Sequence, residues 1–162
     1  MTVEDDVKME DGRLKIDPAP ARRPLKSFRD LDVYVRAQSA MRSVHQLVVS
    51  FPEHEKFGLT DQTRRASKSV GALIAEGWGL RQSEREFKNY LRRALGSANE
   101  MEAHLETARE LSYGALETVI ALIEEYGILG GQLVRLNANW RTYDRPSSIV
   151  HPQSSGGPEK GS

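Results

Sequence analysis

Cysteine is absent from this 162-residue chain, which excludes a disulfide framework, a thiolate metal site and a cysteine nucleophile. No apolar run approaches the roughly 20 residues that a membrane-spanning helix needs. The hydrophobic and charged fractions, 38% and 28%, are those of a soluble globular protein. Charges at Glu4, Asp5, Asp6, Lys8, Glu10, Asp11 and Arg13 break up the start of the chain, so it cannot act as a secretory signal and a cytoplasmic protein is expected. Neither phosphate-cradling glycine pattern, dinucleotide or P-loop, occurs, and there is no nucleophile elbow. A di-iron carboxylate bundle requires Glu-x-x-His on two helices, yet no Glu in the chain has a His three positions later. Glu100 and His104 stand four apart and supply too few ligands for a metal site. His45 and His54 are read as ordinary partly buried or surface histidines. The expectation is a protein with no cofactor, no metal and no catalysis.

The regular signal is helical. A chain of this length suits one domain. Residues 1–26 mix acids with Pro18, Pro20 and Pro24 and show no helical or strand periodicity, and residues 142–162 have the Pro, Ser and Gly composition of a linker. Both are expected to be disordered tails. Between them Val33, Ala37, Ala40, Val44, Leu47 and Phe51 mark a first helix over about Phe28 to Ser50, stopped by Pro52. Thr60 suits an N-cap for a second helix, with Asp61 well placed against the dipole and an apolar stripe of Ala66, Val70, Leu73 and Ile74. Gly77 and Gly79 suit its end, and Ser83-Glu84-Arg85-Glu86 reads as a capping box for a third helix. There Phe87, Leu91, Ala94, Ala98, Met101, Leu105 and Ala108 hold one face, and Gly96 beside Ala94 and Ala98 suits close helix approach. Gly114 suits the next break. Leu116, Val119, Ile120, Ile123, Leu133, Leu136 and Trp140 mark a fourth helix, loosened near Gly127, Gly130 and Gly131. The fold class is therefore all-α, an antiparallel up-down four-helix bundle over residues 27–141.

The first and fourth helices carry apolar residues off their main stripes: Leu31, Tyr34, Val35, Met41 and Val48 on one, Leu122, Ile128, Leu129 and Val134 on the other. Either these helices present wide core-facing stripes, or the surplus marks a homo-oligomer interface.

Net charge is zero but unevenly spread. From Thr60 to Asn99 the eight bases Arg64, Arg65, Lys68, Arg81, Arg85, Lys88, Arg92 and Arg93 face four acids, whereas from Glu100 to Tyr126 Arg109 alone faces seven acids. Arg81, Arg85, Lys88 and Arg92 are spaced four, three and four apart, which puts them on one side around the start of the third helix. Arg64, Arg65 and Lys68 on the antiparallel partner are expected to extend this stripe. Cations at a helix N-terminus oppose the dipole, so local helix stability does not account for them. Three readings fit: contact with nucleic-acid phosphates, contact with the acidic stripe Glu102, Glu106 and Glu110 of a neighbouring subunit, or a solvated face partly neutralised by Asp61 with Arg65 and Glu84 with Lys88.

Ser27-Phe28-Arg29-Asp30-Leu31, Phe51-Pro52 with Glu55-Lys56-Phe57-Gly58-Leu59-Thr60, Arg64-Arg65-Ala66 and Ile74-Ala75-Glu76-Gly77 occur in order. Glu86-Phe87, Tyr90-Leu91, Ala94-Leu95-Gly96-Ser97 and Glu100-Met101-Glu102 follow. Together, from Ser27 to Trp140, these blocks resemble the four-helix-bundle family of 23S rRNA intervening-sequence proteins, which includes the accessory protein of diversity-generating retroelements. The resemblance implies a homopentameric, barrel-like assembly with a basic surface and no catalysis. In the retroelement branch it also implies binding to RNA or DNA and to a reverse transcriptase. The chain departs from the family pattern at Leu73, where asparagine is usual before Ile-Ala-Glu-Gly, and at Leu80, where an arginine often follows the aromatic-glycine pair. Glu76, near a helix end and among arginines, is expected to be a buried structural anchor.

Overall fold

A computed structural model describes residues 25–142 in full, together with the backbone of residues 9–10 and 13–14. Four α-helices form the body: α1 (Asp32–Leu47), α2 (Leu59–Gly79), α3 (Glu84–Glu110) and α4 (Leu116–Asn139). α1 packs on α2 and α4, and α3 packs on the same two from the opposite corner. Each neighbouring pair is antiparallel. Ser69 of α2 meets Ser97 of α3 at 3.0 Å, while Gly77, further along α2, lies against Tyr90 and Phe87, earlier on α3. Likewise Gly130 of α4 touches Leu95 and Trp140 stacks on Phe87. The tails expected over 1–26 and 142–162 fall almost entirely outside the described residues. Within the first of them, where no strand was expected, Met9–Glu10 (β1) and Arg13–Leu14 (β2) pair antiparallel. The Asp11-Gly12 dipeptide between them is a strong hairpin signal.

The helix boundaries refine the sequence picture. The first helix, expected to begin at Phe28, is instead preceded by a separate 3-10 turn at Phe28–Asp30. Ser27 Oγ accepts from the Arg29 N–H, and Asp30 Oδ2 accepts from the N–H groups of Lys26 (2.9 Å) and Ser27 (2.8 Å). These backbone bonds hold the Asp30 carboxyl below its ordinary pKa. Leu31 then turns extended and sinks into the core before α1 starts. Thr60 is not the cap of α2: it is buried within the first turn, and Glu55 Oε2 accepts from the Leu59 N–H at 2.8 Å instead. Gly77 does not end α2, which continues to Gly79. Only half of the expected capping box forms at α3, where Ser83 Oγ accepts from the Glu86 N–H at 3.3 Å.

At the far end of α3 the Ser112 N–H donates to the Arg109 carbonyl (3.1 Å) and the Tyr113 N–H to the Ala108 carbonyl (2.8 Å). This is a Schellman closure. Its left-handed position is filled by Ser112 at φ 58°, two residues before the expected break at Gly114, which itself has φ 77° and lies against Leu47.

The core follows the predicted stripes of α1, α2 and α3, and the seven expected α3 positions are its buried residues. The α4 stripe holds in part, with Ile123, Leu136 and Trp140 packed against the core beside the buried Val119 and Leu133. The buried residues of α4 are Val119, Leu122, Tyr126, Leu129, Gly130 and Leu133, whereas Leu116 and Ile120 are exposed. The helix also runs unbroken through Gly127, Gly130 and Gly131. Tyr126 is fully buried, and burial raises its phenol pKa.

Gly77, not Gly96, is the glycine of close helix approach. A Cβ on Gly77 would stand 2.6 Å from the Tyr90 Cβ, whereas one on Gly96 would meet nothing within 4 Å. Gly77→Ala should therefore destabilise the bundle by about 1–3 kcal/mol through overpacking. Gly96→Ala, in an exposed helix interior, should stabilise it by up to about 1 kcal/mol. Denaturant midpoints that moved in the same direction for both would refute this assignment. Ser112→Gly should relieve the left-handed strain and stabilise by about 1 kcal/mol, seen as a raised melting temperature; an unchanged one would show that the turn tolerates serine.

Candidate nucleic-acid interface

The cationic stripe begins where α2 hands over to α3. Trp78, Phe87 and Trp140 meet edge to face at this end, with Phe87 and Trp140 centroids 4.5 Å apart. Arg81, in the connecting turn, folds back on this cluster. Its guanidinium carbon lies 4.5 Å from the Trp78 ring centroid and its Nη1 donates to the Trp78 carbonyl at 3.0 Å. Lys88 is also committed: its Nζ donates to Glu84 Oε1 at 2.5 Å, and its side chain is only 19% exposed. Arg141 reaches the same oxygen at 3.4 Å. The Lys88 hydrogen bond, aided by the nearby cationic charge, holds the Glu84 carboxyl below its ordinary pKa.

Arg85 and Arg92, two turns apart on the outer side of α3, remain available. The Arg85 side chain is 90% exposed, with one 3.5 Å contact to Glu86. Arg92 is exposed and forms no ion pair among the described residues. Arg93 is exposed beside it, with its guanidinium carbon 4.8 Å from the Tyr90 ring centroid. The stripe of four thus divides into two tethered cations, Arg81 and Lys88, and two free ones, with Arg93 adding a third.

Arg64, Arg65 and Lys68 lie further along the bundle, the nearest of them, Lys68, roughly 10 Å past Arg92 at 1.5 Å per residue. The α2–α3 register fixed at Ser69–Ser97 and Gly77–Tyr90 sets them level with residues near 98–102 of α3, roughly 20 Å along the bundle from Arg85 at 1.5 Å per residue. Arg65 pairs with Asp61 at 2.7 Å. Arg64 and Lys68 face α1, where their charges, after burial, depress the pKa of His45. His45 Nε2 is enclosed without a hydrogen-bond partner.

Other expectations resolve as follows. Glu76 is exposed and makes no ion pair among the described residues, so it is not a buried anchor. Its place on α2 lies outside the strip that Gly77, Ile74 and Trp78 bury. Leu73 is buried and Leu80 exposed. In the acidic stripe, Arg109 Nη2 contacts Glu106 at 2.6 Å and Glu110 at 3.6 Å. His104 Nε2 lies 3.5 Å from Glu100 Oε1.

The surplus apolar residues of α1 and α4 behave differently. Leu31 and Val48 are buried and Tyr34 packs on the core, leaving Val35 as the exposed large residue of α1. On α4, Leu116, Ile120 and Val134 are exposed and share an outward strip with Gly127 and Gly131, at which an added Cβ would meet nothing within 4 Å.

Sequence reasoning missed the approach of His45 to Arg64 and Lys68. His45 sits one residue past the α1 core position Val44, but which helix faces that side is a tertiary fact. The stacking of Arg81 on Trp78 had a local signal in their three-residue spacing.

No curated protein matches the chain at the sequence level. The family model described as 23S rRNA-intervening sequence protein matches residues 29–135, from the turn before α1 into the last turns of α4. By that match and by its four-helix architecture, the chain belongs to the 23S rRNA-intervening sequence protein family.

Proposed function

We propose that this protein is a non-catalytic, cytoplasmic scaffold that assembles into a homo-oligomer, a pentamer as the family resemblance implies, and binds RNA or DNA through its basic surface. The observation that carries the nucleic-acid reading is the trio Arg85, Arg92 and Arg93. All three are exposed on the first half of α3, and among the described residues their one carboxylate contact is that of Arg85 with Glu86 at 3.5 Å. Such cations bind backbone phosphates and release counterions, which confers affinity with little base discrimination. Arg64 and Lys68 supply further positive charge, whereas Arg65, Arg81 and Lys88 already have partners within the chain. A reverse transcriptase is the protein partner that the retroelement branch suggests.

Assembly is supported by the outward strip of α4. A glycine in an exposed helix interior costs about 1 kcal/mol relative to alanine. Gly127 and Gly131 incur that cost where nothing among the described residues needs the space. Exposed Leu116, Ile120 and Val134 lie on the same strip, so a flat apolar strip is available to a second subunit. The competing reading is a purely protein-interacting oligomer in which Arg85 and Arg92 meet the acidic half of α3 on a neighbour.

Reversal of both Arg85 and Arg92 to Glu separates the two. Under the scaffold reading the double variant keeps its mass by light scattering, loses at least about tenfold in affinity for RNA and duplex DNA, and shows a salt slope shallower by about two. Dissociation of the oligomer, with no nucleic-acid binding by the unmodified protein at low salt, would establish the competing reading. Gly127→Leu combined with Gly131→Leu should leave helicity and monomer fold intact but lower the mass to that of one chain. Retention of the full mass would remove the α4 strip from the interface.

A further inference from the structure

The α1–α2 seam holds a second cationic group unlike the α3 trio. Arg64 and Lys68 stand four apart on α2, a spacing at which like charges repel and destabilise a helix. Asp61, three residues before Arg64, could neutralise it but is committed to Arg65 at 2.7 Å. Neither Arg64 nor Lys68 forms an ion pair among the described residues. α1 opposes them with a histidine rather than a carboxylate. Gly71 of α2 lies against Tyr34 and Gln38 of α1, a register that sets His45 about level with Gln62, within one turn of Arg64 and two of Lys68. These are the charged groups that bear on His45 from α2, and Arg42 stands one turn earlier on its own helix. The ring is half-buried, with Nε2 enclosed and unpartnered, an arrangement that suits a neutral imidazole beneath two bare cations. Such a site lacks one component, an anion. A phosphodiester supplies a single negative charge and oxygens that accept from a guanidinium and an ammonium together.

We propose that Arg64 and Lys68 clasp one backbone phosphate of a bound nucleic acid over the α1–α2 seam, and that His45 beneath them takes up a proton as the phosphate arrives. This rests on the nucleic-acid reading above and gives the strand a second contact roughly 20 Å from Arg85, so that it runs along the bundle rather than across one end. The sign of the coupling follows from the charges. In the free protein, burial and then Lys68 and Arg64 hold the His45 pKa below its ordinary value, so the ring is neutral at pH 7. A phosphate seated between the two cations offsets their charge and raises it. The complex therefore binds more protons than the free protein, and affinity increases as pH falls through the bound-state titration.

The test uses the full chain with a labelled 20-nucleotide RNA, and with inorganic phosphate as a separate probe. The His45 ring resonance is followed by NMR and RNA affinity is measured between pH 7.5 and 5.5. The expected result is an upward shift of the His45 midpoint on adding RNA, with affinity at least about threefold higher at the lower pH. His45→Gln should flatten that pH dependence. Arg64→Gln and Lys68→Gln should each make the salt slope shallower by about one and diminish the RNA-induced His45 shift, with unchanged helicity. RNA binding that depends on Arg85 and Arg92 but leaves His45 unmoved, and the salt slope intact in both glutamine variants, overturns this site while the nucleic-acid reading stands. A His45 shift with inorganic phosphate but no RNA binding at low salt overturns both, leaving a free-phosphate site. No response to either probe also overturns both.

Discussion

Everything about the charge map depends on how closely α2 and α3 approach at one place. Gly77 has no side chain because the Tyr90 Cβ occupies the space that one would need. With the backbones drawn together there, Trp78 turns onto Phe87 and Trp140 to close that end of the bundle. This contact sets the register of the two helices. The register sets Arg64 and Lys68 further along the bundle than Arg85 and Arg92. A shift by one helical turn would bring different partners to every cation on that side.

Much of the bundle was legible. The α3 stripe was read without error because a long helix with one apolar face and polar flanks has only one way to turn. The α1 stripe was equally clear, although its first turn was not, since Ser27 and Asp30 divert hydrogen bonds into a separate 3-10 turn. On α4, Leu116 and Ile120 were misplaced because the helix is apolar on several sides, and periodicity cannot distinguish the side covered by α1 and α3 from the one left exposed. The glycines misled for a related reason. A glycine within a helical pattern does not tell whether a neighbour fills the space beside it, as at Gly77, or none of the described residues does, as at Gly127.

The candidate site was legible in residue type rather than in availability. Pairs four apart on one helix, Asp61 with Arg65 and Glu84 with Lys88, were readable from spacing and form as expected. Other relationships lay beyond the sequence. Arg141 reaches Glu84 across the bundle, and the charges of Lys68 and Arg64 bear on His45 only because α1 packs on α2. Tertiary structure thus acts on a charge pattern mainly by subtraction, committing Arg65, Arg81 and Lys88 of the eight candidate cations to partners within the chain.

The helix count itself carries a consequence. An even number of antiparallel helices returns the chain to the end from which it set out. Leu25 accordingly borders the same groove as Leu136 and Asn139, and the Thr142 hydroxyl donates to the Arg81 carbonyl at 3.3 Å. The opposite pole is made of interhelical turns around Gly58 and Gly114. The bundle is therefore polar in its connectivity: the chain enters the four helices and leaves them at the same pole, with Thr142 beside Arg81.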